Sequence, residues 1–411
     1  MRDMENILKG IKIIVIGAGP GGLTFSRAAQ ANGATVEIIE QAGDPRGDEA
    51  GYTDRSFNLT LNNVGRTALG DERAWVGSTD IVGRAIHNIG GDVKYASYGE
   101  GDSAILTSVP RPILRQNMVK LAQNEGVSFR FRTEVISLDP DQGQVVMETK
   151  GGKISLAADL IVVADGIHSL ADSFITGPLR GSINVRTEKL NYVTVMLSKE
   201  ACHDMSLHHI HFWHEPKSSA VAIGLPNKDG TIAALLISRF DDVATSKSPF
   251  AERQQAIFRL QSDFPQLLQL EADLVDRVLG RKRGNFYYKA ISDYVLGRKC
   301  VVVGDAGSAS PPWAGFGANT AIYSADALLR FIVGLGGNLD QALPSYGQHK
   351  RILTELVLDY AEEHGEFLNK EVTKNPEQRP IGPVLGQLVS KAIKRSDIPQ
   401  GVKLLSFDQI D

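Results

Sequence analysis

An α/β protein with an inserted antiparallel sheet is the fold class that this sequence predicts, and three stretches predict it. Residues 11–40 read as strand, glycine turn, helix and strand. Residues 183–240 read as successive strands joined by turn chemistry, and residues 299–329 return to a buried strand that passes through small residues into a helix. The first and third belong to one mostly parallel sheet, and the second is an insertion into it.

The opening stretch runs through a β-branched strand into Gly17-Ala18-Gly19-Pro20-Gly21-Gly22, a helix-length segment and a second strand ending at Glu40. The spacing G-x-G-x-x-G falls on Gly17, Gly19 and Gly22. The first glycine allows a tight turn, the second lets backbone approach a pyrophosphate, and the third lets helix pack on strand. N–H groups at the helix start favour phosphate, and an acid placed like Glu40 accepts from a ribose hydroxyl. This is a Rossmann-like beginning.

A chain of 411 residues predicts two or three domains. With 22% charged residues and a net charge of −4 there is no basic excess, so neither nucleic acid nor an anionic membrane is an expected partner. Cys202 and Cys300 are too few for a disulfide scaffold or a C-x-x-C metal site, and a reduced, cytoplasmic protein is expected. No window reaches the roughly 20 apolar residues of a membrane helix, and the apolar run before Gly17 is the first strand and not a signal peptide.

The chain in order supplies the remaining elements. Residues 41–62, with Arg46, Arg55 and Ser56, form a loop over the ligand, and 63–69 a short helix. Residues 80–98 alternate as hairpin strands; they carry Arg84 and Tyr98, to which composition gives no role. Residues 111–124 are helical, with Ile113, Leu114, Met118 and Leu121 on one side and Arg111 at the start. Residues 127–138, 145–149 and 153–157 read as a meander, followed by a buried strand that delivers Asp165-Gly166 to the sheet's carboxyl edge. In the insertion, strands are expected at 191–197, 208–213, 220–225 and 231–238, and alternation splits the histidines between faces, so no metal is expected. Residues 250–279 are helical. The run 299–305 ends in Gly304-Asp305, and the small residues behind it lead a helix start towards a second polar ligand end. Helices over 345–370 and 383–394 close the chain. The expected domains are a discontinuous cofactor domain (1–75, 100–182 and 290–345), a second domain (76–99 and 183–289) and a helical segment (346–411).

Three motifs in this order carry a resemblance: Gly17-x-Gly19-x-x-Gly22 with Glu40; Asp165-Gly166-x-x-Ser169; and Gly304-Asp305 followed by Pro312-x-x-Gly315-x-Gly317-Ala318-Asn319. Together they resemble the fingerprints of single-component FAD-dependent aromatic hydroxylases, the group A flavoprotein monooxygenases with a GR2-type Rossmann-like domain. Further runs, including Asp44-Pro-Arg46, Arg55-Ser56-Phe-Asn58, Gly83-Arg84-x-Ile-His87, Tyr98-Gly99, Arg111-x-x-Leu114 and Leu225-Pro226-Asn227, are similar to the kynurenine 3-monooxygenases. The resemblance implies FAD held by Gly17, Gly19, Gly22, Glu40, Ser56, Arg111, Asp165, Asp305, Gly315, Gly317, Ala318 and Asn319. It implies a carboxylated aromatic substrate, kynurenine-like or tryptophan-derived, bound by Arg84, Tyr98, Tyr192, Pro312, Trp313, Asp359 and Glu362. It also implies NADPH as a transient partner and O₂ as co-substrate, with reduced flavin forming a C4a-hydroperoxide that hydroxylates the ring. No acid or base side chain is assigned. A monomer or homodimer is expected. The alternative is a flavin oxidase or reductase of the same fold acting on a biosynthetic intermediate. The chain departs from the family pattern at Gly307 and Ser308 (usually Ala-His), at Asp172 (usually Arg) and at Asp359 (usually Asn).

Overall fold

A computed structural model of the chain describes residues 6–47, 57–88, 91–149, 151–215, 220–238, 248–312, 315–370 and 384–407. Its first sheet is built where the sequence is uniformly apolar. Strands β1 (Lys12–Ile16), β2 (Thr35–Ile39), β8 (Ser128–Arg130), β12 (Leu160–Val163) and β19 (Cys300–Val302) are parallel, and the short β18 (Val295–Leu296) closes one edge antiparallel. The order is β18-β19-β12-β1-β2-β8. Residues Ile13 to Val15 and all of β12 are buried, as expected of parallel strands covered on both faces. Helices α1 (Pro20–Ala31), α3 (Arg111–Asn124) and α8 (Gly317–Gly334) contribute to the same core.

The run 127–138, expected to be one arm of a meander, divides in two. Its first part, β8, extends the parallel sheet beside β2, and only β9 (Glu134–Asp139) joins β10 (Gln144–Thr149) and β11 (Gly152–Ala157). Arg132 makes the break. Its φ of 53° lies in the left-handed region, and the backbone N–H groups of Arg132 and Thr133 are drawn to Ala42 O and Glu40 O at 2.9 and 3.1 Å.

The hairpin expected over 80–98 is also redistributed. β5 (Gly83–His87) and β6 (Val93–Ser97) form the hairpin, whereas β4 (Thr79–Ile81) leaves it to pair with β7 (Leu106–Pro110), which in turn pairs with β3 (Asn58–Leu61). β5 then lies parallel to β14 (His209–Glu215), at one end of an eight-stranded sheet. That sheet continues through β15 (Ala220–Pro226), β16 (Ile232–Ser238), β13 (Ile183–Leu197), β17 (Gly284–Ile291) and β20 (Ser308–Ala309). β13 starts earlier than the expected 191–197 strand and shifts register between Thr187 and Asn191.

Period-2 alternation gives the large sheet two different faces. Val193, Val195, Trp213 and Leu236 pack beneath α5 (Arg253–Asp263), α6 (Pro265–Leu270) and α7 (Leu274–Val278). Ile210, Phe212, Ile223, Leu235 and Ile237 point the other way, towards Ile81, Leu106 and Phe57 of the first half. The two sheets are linked by very little chain: between β19 of the parallel sheet and β20 of the large sheet lies only the turn that carries Asp305. Helix α2 (Asn63–Leu69) and the closing helices α9 (Leu339–Lys370) and α10 (Val384–Arg395) complete a separate apolar cluster with Phe316 and Tyr323. The short α4 (Ala171–Thr176) follows the Asp165 turn. Among the described residues no helix is long and apolar enough to cross a membrane.

Candidate functional site

The glycine turn behaves as its spacing predicts. Gly17 has φ 104°, and a Cβ there would lie 2.4 Å from Ala164 O; a Cβ on Gly22 would lie 2.2 Å from Gly17 O. Both approaches are closed to any larger residue. Helix α1 begins at Pro20 without a side-chain cap and without an acid in its first turn, so its N–H groups and dipole are left for an anion. Glu40 lies beside this turn. One carboxylate oxygen accepts from Ala18 N–H at 2.8 Å and the other from Ala42 N–H at 2.7 Å. Each oxygen retains a further acceptor position. Arg115, which belongs to none of the three motifs, stands 3.3 Å from Glu40 and donates to Ala18 O at 3.2 Å. It follows Arg111 by one helical turn of α3, and that i,i+4 spacing was the available signal.

These residues line a cleft of about 770 Å³ together with Arg111, Asp165, Gly166, His168 and Ser169. Asp165 stands at the end of β12. One oxygen accepts from Leu170 N–H at 2.8 Å, and the other, buried, has no hydrogen-bond partner among the described residues. Burial pushes this carboxyl upward, against hydrogen bonds from Ser169 and Leu170 that lower it. An orphaned buried acceptor at the mouth of a parallel sheet fits a ligand that brings a donor, as a ribose or a flavin nucleotide does.

The third motif meets the first on one residue. Cβ positions on Gly21 and Gly304 would both press on Ala321 of α8, at 3.2 Å from its carbonyl oxygen and 3.1 Å from its Cβ respectively. Asp305, next to Gly304, is accessible at its tip yet walled by protein. That surround pushes its carboxyl upward, while Arg111, Lys350 and Lys289 oppose the shift. Arg111 acts on Asp305 and also lines the cleft of Gly17 and Gly19, so one side chain stands between the two turns. Gly315, Gly317 and Ala318 are partly open at the uncapped start of α8, and Gly315 N–H returns to Pro312 O at 2.9 Å. Asn319 is different. Its amide donates to Thr60 O and Gly315 O, both at 2.7 Å, and its oxygen accepts from Asn62 N–H at 3.0 Å. The side chain is a clamp between β3, α2 and α8, so only its backbone is left to face a ligand.

The second group gathers on the face of the large sheet that carries Ile210, Phe212 and Ile223. Arg84 on β5 is 6% exposed, and among the described residues its Nε and one terminal nitrogen have no hydrogen-bond partner. The guanidinium lies 5.4 Å from the Tyr98 ring centroid and 5.7 Å from that of Phe212. Burial pulls its pKa down; the groups that raise it are the tyrosines Tyr98 and Tyr360, with no carboxylate among them. Tyr192 lies further along the same face, stacked on Phe286 at 4.8 Å and edge-on to Phe57 at 5.9 Å.

Helix α9 presents Tyr360 to this pocket. The Tyr360 ring is 5.5 Å from Phe316, which immediately precedes α8, and it acts electrostatically on Arg84. Asp359 is exposed, and Glu362 is engaged at the surface with Arg186 at 2.9 Å. The structure therefore leaves both acids at the surface; of the two residues between them, helical period buries Ala361 fully and Tyr360 in part. Ser56 and Trp313 lie outside the described residues.

Comparison with known proteins gives a consistent set of likenesses. A family model described as FAD binding domain matches residues 10–359. A protein named kynurenine 3-monooxygenase from Salinispora arenicola is 28% identical over 373 residues, covering 88% of this chain and 81% of its own. One of the same name from Legionella pneumophila is 24% identical, with 87% and 81% covered. Among solved structures, the tetrameric form of 2-methyl-3-hydroxypyridine-5-carboxylic acid oxygenase superposes with a TM-score of 0.73 at 20% identity, covering 95% of this chain and 99% of that one. p-Nitrophenol 4-monooxygenase from Pseudomonas putida gives 0.69 at 15% identity, with 93% and 96% covered. At these identities the structural likenesses bear on the fold.

Proposed function

The chain belongs to the FAD binding domain family, and from that premise we propose that it hydroxylates an electron-rich aromatic ring on a substrate that also carries a carboxylate. It is an FAD-dependent monooxygenase, and NADPH is the usual co-substrate of such enzymes. Kynurenine and related tryptophan-derived acids are the first candidate substrates, in line with the relatives' name. The observation that carries the carboxylate is Arg84: a buried guanidinium that, among the described residues, has the tyrosines Tyr98 and Tyr360 raising its pKa and no carboxylate beside it. A buried cation in that state is costly unless a ligand supplies the anion.

Bound FAD, reduced by NADPH, supplies the activation of O₂ that places one oxygen atom on the ring. The chain's own part is to bind, orient and exclude water. Gly17, Gly19, Gly22 and the start of α1 hold the diphosphate, Glu40 a ribose, and Asp165 and Arg111 the middle of the cofactor. Asp305 takes the sugar-alcohol chain, and the backbone of Gly315, Gly317, Ala318 and Asn319 faces the ring system beside Pro312. Arg84 binds the carboxylate far from the reacting carbon, with Tyr98 and Tyr360 beside it, which fixes the ring's orientation. Phe212, Ile223, Tyr192 and Phe286 make the wall apolar, which keeps water from the activated oxygen. Trp313, Ser56, Asp359 and Glu362 stay part of the proposal only as the resemblance implies them.

The test is NADPH oxidation by the purified yellow protein against a panel of aromatic acids and their amides, with hydroxylated product and H₂O₂ measured separately. A carboxylated substrate should give product in step with NADPH and only when O₂ is present. Equal turnover of the acids and their neutral amides would remove the assignment of Arg84; reduction of the substrate by NADPH without O₂ would make the protein a reductase, and oxidation of the substrate with all consumed O₂ recovered as H₂O₂ would make it an oxidase.

A further inference from the structure

Two fully buried lysines flank the Asp305 turn, and they are not equivalent. Lys289 on β17 has its charge met by Asp172 at 2.7 and 3.0 Å and donates to Ile167 O at 2.9 Å. Lys350 on α9 is 1% exposed, and its Nζ donates to the Ser308 hydroxyl at 2.7 Å. The Tyr294 ring stands 5.7 Å from that nitrogen, and Tyr294 OH is itself held by Thr354 at 2.7 Å. Among the described residues the carboxylate acting on Lys350 is Asp305, which lies three positions before its hydroxyl partner in the same turn.

We propose, on the flavin reading given above, that Lys350 is a positioning residue for FAD: its ammonium, anchored on Ser308, holds the Asp305 turn in the electrostatic state that retains the cofactor. FAD brings a diphosphate into a cleft that Asp165 already lines, and Asp305 stands behind Arg111 of that lining, so a buried positive charge beside the turn favours binding. Burial lowers Lys350 to about 7 while Asp305 works to raise it, so its charge is poised near neutral pH. A ligand that prefers the protonated form binds best below that transition and more weakly as pH rises through it.

The other groups around this lysine are accounted for. Tyr294 is pushed up to about 12 and His349, its neighbour on α9, down to about 4, so neither changes charge between them. Arg111 from α3 and Lys289 from β17 act on Asp305, and Glu355 acts on Tyr294.

FAD retention by the holoprotein, read from the fluorescence of released flavin between about pH 6 and about pH 8.5, tests this. Wild type should hold FAD roughly tenfold more weakly at the upper end. Lys350→Met should be weak at every pH, with the profile flat. Ser308→Ala keeps the lysine but removes its acceptor, so the midpoint should move to lower pH even if the methionine variant does not fold. A Lys350→Met protein with the wild-type profile, or a Ser308→Ala protein with an unmoved midpoint, would overturn the assignment. A wild type that takes up no FAD at any pH would overturn the flavin reading and this inference with it, and that result is distinguishable from the other two.

Discussion

Arg84 and Asp305 are the two residues whose surroundings make least sense without a ligand. Arg84→Met should lower kcat/KM for a carboxylated aromatic by roughly 10- to 100-fold, mostly through KM, because a charge-assisted contact contributes about 1.5–3 kcal/mol. An unchanged KM would detach the pocket from substrate. Asp305→Ala should yield protein that folds but loses its yellow colour on gel filtration; full retention of flavin would contradict its placement. A third residue-scale effect concerns stability. His87 and His211 share a ring-to-ring hydrogen bond of 2.8 Å, and both are held down to about 4, chiefly by burial. Because their folded pKa values lie below the usual 6.5, the unfolded chain takes up protons first, and stability present above about pH 6.5 is lost as pH falls towards 4. For the more buried His211 the loss is on the order of 2 kcal/mol, and His211→Phe should flatten that arm of a melting-temperature profile.

At the scale of elements, the decisive contacts are those that fix where α1 and α8 begin. Gly22→Ala places a methyl 2.2 Å from Gly17 O, so the turn must open and the phosphate cradle is lost; the expected outcome is apo-protein on purification. Asn319→Ala removes three hydrogen bonds and strands Thr60 O, Gly315 O and Asn62 N–H. The cost should be about 2–4 kcal/mol, read as a lower denaturation midpoint with an unchanged slope. Helix α9 shows how period decides burial at this scale. The resemblance implies Asp359 and Glu362, yet Asp359 is exposed and Glu362 pairs with Arg186, while Ala361 and, in part, Tyr360 take the buried side of that turn.

For the molecule as a whole, the large sheet and the parallel sheet are joined at the third motif. β19 belongs to one sheet and β20 to the other, and Lys289 from the large sheet reaches Asp172 after the second motif. Lys289→Met should destabilise the protein by about 3–5 kcal/mol, since it leaves a partly buried carboxylate without its cation. The double variant Lys289→Met, Asp172→Leu should recover much of that loss, and a strictly additive result in a double-mutant cycle would show that the pair carries no coupling. Asp172, a departure from the family motif, thus has a structural partner, as does Ser308 with Lys350.

Much of this was legible in the sequence for a physical reason. Buried parallel strands must be uniformly apolar, tight turns that approach backbone must be glycine, and a helix start that takes an anion must lack an acid. Each of these leaves a local mark, and Gly17 to Gly22, Glu40, Asp165 and Gly304-Asp305 all bore it. The arginine pocket left no mark in composition or period, and only the resemblance implies it, because Arg84 on a strand looks like any surface arginine until Phe212, Tyr98 and Tyr360 close around it. The split of residues 127–138, the departure of β4 from its hairpin, and the two buried lysines were likewise decided by tertiary contacts. Burial, pairing register and the sign of the charge opposite a side chain are properties of chain segments far apart in sequence, and only the folded arrangement brings them together.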